Sequence, residues 1–199
     1  MRFLKDNSYD IVRLFINQIG IAIFSFFLYT AVGMIKDDAL EFKLRIILSV
    51  FAIGFYFVLL YTVAWEWGAK EKIRIDAGRA ERKPFNGAIL SILANVPNFL
   101  ISLLAIIFLG VNMLGGADGF YTAFVVLNLF IRFLESMYLG AIQGIFSLFK
   151  LAGNELFMFE TLGFLIMPLF AVLATHIGYT MGLKEKRIFG FVKQTSKNK

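Results

Sequence analysis

Apolar and polar residues in this chain fall into blocks, without the interleaving of an amphipathic surface helix. Four blocks, 14–35, 46–65, 87–114 and 161–183, contain no Asp, Glu, Lys or Arg. A helix rising 1.5 Å per residue needs about 20 apolar residues to cross ~30 Å of hydrocarbon, so each block predicts a membrane-spanning helix. A fifth uncharged region is interrupted, because 119–131 and 136–149 flank the tetrapeptide Arg132-Phe133-Leu134-Glu135. It reads as one long helix with charges at its middle, as two short crossings, or as a re-entrant hairpin. Helices of about fourteen residues reach only about 21 Å, so short crossings need neighbouring helices or a thinned bilayer to shield their ends.

The basic residues narrow this choice, since cytoplasmic loops carry the excess of Lys and Arg. A single fifth span divides them ten against nine, whereas two crossings or a hairpin place at least fifteen on one side and four on the other. An even number of crossings follows, with both termini, the 69–86 loop and the 184–199 tail in the cytoplasm. That loop carries +3 and the tail +5, while the opposite segments are neutral or −1. Basic charge beside a bilayer predicts attraction to anionic lipid headgroups at 69–86 and 184–199. The polar stretch 1–13 and the length of the first apolar block predict a retained helix and no cleavable signal peptide.

Composition sharpens the class. The chain is 59% hydrophobic and 17% charged, with a mean hydropathy of +0.74, against about 45–50% apolar residues in soluble domains. It has no Cys and three Pro, which excludes a disulfide scaffold and a Pro-rich disordered chain. The predicted fold is an all-α, polytopic integral membrane helical bundle, a single membrane domain over 1–199 with four long spans and the element at 119–149. Phenylalanine, spread over every span, predicts lipid-facing and packing surface. Trp65 and Trp67, flanking Glu66, predict interface anchors. Heavy use of Phe, Ile and Lys suits a bacterial plasma membrane.

The sequence Gly68-Ala69-Lys70-Glu71-Lys72 returns as Gly182-Leu183-Lys184-Glu185-Lys186, 114 residues later. Duplicated halves of a transporter would produce such a repeat. So would two unrelated helix ends, where a glycine followed by lysines is a common terminus.

Charges inside an apolar block are the costly residues, at about 2.5–3.5 kcal/mol each near the bilayer centre. Asn128, Arg132 and Glu135 lie at i, i+4 and i+7, which on one helix makes a polar stripe in which Arg132 and Glu135 pair. Such a stripe faces a cavity, the bundle interior or a partner, unless it is an interfacial turn with a snorkelling arginine. Asn95-Val96-Pro97-Asn98 is the second candidate. Proline removes a backbone donor, so Pro97 predicts either a discontinuous helix offering backbone to a solute or a kink whose amides, Asn95 and Asn98, bond to neighbours. Gly140 and Gly144 form a GxxxG pattern for close helix packing, within the chain or with another subunit. Asn17, Gln18 and Gln143 predict interhelical hydrogen bonds, and His176 a packing residue or a proton relay.

No pattern for a hydrolytic nucleophile, a phosphate-binding loop or a soft-ligand metal site is present. The expectation is therefore a non-enzymatic protein with no cofactor, no metal and no nucleic-acid partner. Two function classes remain: a solute-binding or transport component with a polar intramembrane site, or an accessory or assembly subunit of a larger membrane complex. In architecture alone the chain resembles the substrate-binding membrane subunits of energy-coupling-factor vitamin transporters, and no motif or residue role is carried over. The bilayer is the sure partner, with other membrane subunits a second.

Overall fold

Apolar segments of this length leave the backbone no partner but itself, so helices follow. The computed structural model describes residues 2–149 and 153–186. In chain order its helices are α1 (Arg2–Val32), α2 (Asp38–Asp76), α3 (Asn86–Met113), α4 (Asp118–Leu134), α5 (Leu139–Phe146) and α6 (Gly153–Leu183). A 3-10 turn, Ser136–Tyr138, joins α4 to α5. Helices α1, α2, α3 and α6 contain stretches long and apolar enough to cross a membrane.

Local chemistry sets the helix ends. The Asp37 side chain accepts hydrogen bonds from the Ala39 and Leu40 backbone N–H groups, at 3.0 Å each, and so caps α2. That helix stops where Gly78 adopts φ +69°, a left-handed conformation that costs a residue with a Cβ. Gly115, at φ +89°, turns the chain after α3 in the same way.

The helices overrun the apolar blocks. α2 has 39 residues, roughly 58 Å at 1.5 Å per residue, so 69–76, predicted as loop, is helix. The connection to α3 shrinks to 77–85. α1 begins at Arg2 and α6 at Gly153, well ahead of the apolar blocks that start at 14 and 161. Hydropathy marks hydrocarbon depth, whereas a formed helix propagates into flanking polar residues at one hydrogen bond per residue. Of the predicted tail, 187–199 lies outside the described residues, as does Lys150.

Contacts fix the relative directions of the helices. Arg13 faces Glu66 at 3.7 Å and Arg45 bonds to Tyr29, so α1 and α2 are antiparallel. Gly178 packs on Tyr61 and Gly182 on Trp65, so α6 runs parallel to α2. Gly87 packs on Tyr179 and Gly110 approaches Met158, so α3 opposes α6. The start of α6 therefore lies at the end of the bundle where α2 begins and α3 finishes. α4 starts there too. α5, bent 81° from α4, packs on the beginning of α2 through Gly140 and Gly144. The pair enters from one end and turns back toward it, so 119–149 is a bent helix pair folded as a hairpin. Its tip reaches the middle of α1, where Ser136 Oγ donates to the Ala22 carbonyl at 2.6 Å. The start of α1 and the end of α6 share the other end of the bundle.

Polar side chains of the spans are turned in beside an apolar core that includes Leu60, Leu90, Ile131 and Phe164, and further apolar residues cover the outside. Gln18, Asn95, Asn98, Asn128, Glu135 and Glu160 are buried, while Phe27, Phe51, Leu129 and Leu173 are more than half exposed. That distribution suits a lipid surround, where interhelical polar contacts and close packing hold helices together. Trp67 does not act as the predicted anchor, because α2 continues past it as helix and buries it in the core. Trp65 Nε1 donates to the Lys186 carbonyl at 2.7 Å and ties α2 to the end of α6.

The two copies of the repeated sequence meet. A Cβ on Gly68 would lie 2.1 Å from the Tyr179 carbonyl oxygen and 2.9 Å from the Leu183 nitrogen. A Cβ on Gly182 would lie 2.2 Å from the Trp65 oxygen and 2.9 Å from the Ala69 nitrogen. Shifting one set of residue numbers by 114 gives the other. Ala22 with Ser136, and Tyr29 with Gln143, are joined at that same separation of 114.

Candidate functional site

α4 presents Asn128 and Arg132 one turn apart, and Arg132 Nε donates to Asn128 Oδ1 at 2.5 Å. Arg132 Nη2 reaches across to α6 and pairs with the Glu160 carboxylate. Asn128 Nδ2 donates to Thr161 Oγ1 at 3.3 Å, and that hydroxyl donates to the Phe157 carbonyl at 2.7 Å. Two adjacent residues of α6 thus satisfy two residues of α4. The Glu160 side chain is buried and Arg132 is about a quarter exposed, so the charges compensate each other inside the bundle.

The predicted Arg132–Glu135 pair does not form. α4 ends at Leu134, and Glu135 occupies its C-cap at φ −116°, ψ 26°. The helical spacing that would bring both side chains to one face is lost there. Glu135 turns into the core with 0% exposure, and neither carboxylate oxygen has a hydrogen-bond partner among the described residues.

Asn95, Pro97 and Asn98 stand apart from this network. α3 runs through Pro97 unbroken, so the discontinuous-helix reading is not realised. Asn95 Nδ2 donates to the Ser91 carbonyl at 2.8 Å, and Asn98 Nδ2 to Asn95 Oδ1 at 3.2 Å. These bonds lie within α3 itself, and Asn98 Oδ1 is buried without a hydrogen-bond partner among the described residues. The His176 ring stacks on Phe85, with centroids 5.7 Å apart and planes at 7°.

Beside Arg132 the hairpin leaves a pocket of about 530 Å³, within the usual size range for small-ligand sites. Its polar wall is Tyr29, Arg45, Arg132 and Gln143, and Phe26, Phe130 and Phe133 dominate its apolar wall. Gly140 and Gly144 build it by packing inside the chain. A Cβ on Gly140 would lie 2.1 Å from the Arg45 carbonyl oxygen, and one on Gly144 3.0 Å from the Ile46 side chain. That approach brings Gln143 to α1. Arg45 Nη1 donates to the Tyr29 hydroxyl at 2.5 Å, the guanidinium lies 4.1 Å from the Tyr29 ring centroid, and Nη2 pairs with Glu41. Tyr29 Oη then donates to Gln143 Oε1. The relay runs from arginine to tyrosine to amide oxygen, which leaves the Gln143 N–H groups free to donate. Arg132 and Arg45 add further N–H groups, so the polar wall is rich in donors.

Asn128 and Arg132 are therefore brought together with the pocket, while Asn95, Pro97, Asn98 and Glu135 are not. Tyr29, Arg45, Glu160 and Thr161 escape the sequence reading. Arg45 and Glu160 each border an apolar block, where a charge reads as loop. The available signal was the lone arginine in an uncharged region, which requires an acidic partner from some other helix edge. Among the described residues, no group of three or more His, Cys, Asp or Glu is placed to hold a metal ion. Comparison with known protein families, curated proteins and solved structures finds no match for this chain.

Proposed function

We propose that this multi-pass membrane protein is a non-enzymatic solute-binding or transport component of the plasma membrane, with both termini cytoplasmic. The solute occupies the pocket between α1, α2 and the re-entrant hairpin. One observation carries the reading: Arg45, Arg132 and Gln143 line a pocket of about 530 Å³ between helices whose apolar surface suits a lipid surround. Intramembrane cations are kept where they meet a partner or a pathway. Their carboxylate partners, Glu41 and Glu160, do not line the pocket. The pocket therefore favours a ligand with acceptor oxygens and negative charge.

Native mass spectrometry of the chain extracted from its own membrane tests this. The expected result is a bound small molecule whose occupancy falls in Gln143→Leu and Arg45→Gln while the protein stays monodisperse. A stoichiometric protein partner with no small molecule would replace the reading with that of an accessory subunit.

A further inference from the structure

We infer that the pocket takes an anionic membrane lipid, entering sideways from the bilayer, with its phosphate held between Arg45, Arg132 and Gln143. The inference rests on the solute-binding reading and specifies its ligand class. Three observations carry it.

First, the apolar wall belongs to the outer surface of the bundle. Phe26 is 42% exposed, Phe130 57% and Leu129 69%, so the pocket is rimmed by apolar side chains on the outer face of the bundle, the face that suits lipid chains. A solute arriving from water would cross this apolar rim, whereas an acyl chain lies along it at no desolvation cost. Second, the polar wall donates. The Tyr29 hydroxyl hydrogen is committed to Gln143 Oε1, and Arg45 Nη1 to Tyr29. What remains for a ligand is N–H from two guanidiniums and one amide, a set that matches phosphate oxygens. Third, Glu41 and Glu160 approach their arginines from outside the pocket. Each carboxylate engages Nη2 alone, so Nη1 of each guanidinium keeps N–H hydrogens to donate.

The test uses the full chain, delipidated in detergent and titrated by native mass spectrometry with phosphatidylglycerol, with phosphatidylcholine of the same chains, and with inorganic phosphate. One phosphatidylglycerol should be retained with about tenfold preference over phosphatidylcholine, which has the same phosphodiester but a choline cation that the two guanidiniums repel, a cost on the scale of one exposed charge pair. Arg45→Gln should remove most of that preference, and Gln143→Leu and Phe130→Ala should each lower occupancy by both lipids. Arg132 is left intact because its loss strands Glu160. Equal retention of both lipids, unchanged preference in Arg45→Gln, or unchanged occupancy in Gln143→Leu overturns the lipid assignment. So does saturable binding of inorganic phosphate that excludes phosphatidylglycerol, which would identify a water-soluble anion.

A second arm separates this failure from that of the pocket itself. The chain contains no cysteine, so a bulky maleimide can be placed at Phe130→Cys alone. If it displaces a molecule that co-purifies from the native membrane while the lipid titration is flat, the lipid class falls and the solute site stands. If neither responds, both fall.

Discussion

Arg132 is held in the bundle by a carboxylate from another helix, and the energy of that arrangement is asymmetric. Removing one partner of a buried ion pair leaves an uncompensated charge, which costs about 3–5 kcal/mol, while replacing both by apolar residues is often neutral. Glu160→Ala should therefore depress the thermal unfolding midpoint sharply, and the double variant Arg132→Met, Glu160→Leu should restore most of it. Equal midpoints for the two variants would show that the pair is not coupled. Glu135→Ala, the variant suggested by helical spacing, should leave Arg132 unaffected, because Glu135 lies past the helix end. The sequence exposes Arg132 because a charge in an apolar block is expensive. It does not expose Glu160, since a partner from a distant helix leaves no spacing pattern and a carboxylate bordering an apolar block looks like loop.

At the level of elements, the hairpin depends on how closely α5 approaches α2. Gly140 faces backbone, the Arg45 carbonyl, whereas Gly144 faces the end of the flexible Ile46 side chain. Gly140→Ala must separate the helices and should cost about 1–3 kcal/mol, the usual range for overpacking. Gly144→Ala should cost distinctly less, as Ile46 can change rotamer. Denaturant titration of both variants checks the order, and a reversed order would place the close contact elsewhere. The hairpin also predicts sidedness. Single cysteines at Ala39 and Ser147 should react with an impermeant thiol reagent from one face of the membrane, and one at Glu81 from the other. Labelling of Ser147 from the face of Glu81 would make 119–149 a crossing. The existence of the four long helices is legible in the apolar blocks, because hydrocarbon thickness dictates their length. The re-entrant bend is not, as Glu135-Ser136-Met137-Tyr138 contains neither Gly nor Pro, and only contacts with α1 and α2 turn the chain back.

Across the whole molecule, polar groups converge in the interior while phenylalanines cover the outside, so the bundle's shape is set by small side chains and hydrogen bonds. This explains why the pocket could not be read from the sequence: its walls come from α1, α2, α4 and α5 and exist only once Gly140 has docked. The reciprocal contact between Gly68 and Gly182 carries a further consequence. It is an isologous interface of the sort that joins two identical subunits about a two-fold axis, here closed within a single chain. In such an interface the same role is filled twice, once by each glycine, so Gly68→Ala and Gly182→Ala should destabilise by similar amounts. Once one methyl has pushed α2 and α6 apart, the second enters space already opened. The double variant should then lose less than the sum of the singles, by about 0.5–3 kcal/mol in a double-mutant cycle. Strictly additive losses would mean that the two halves touch without sharing an axis.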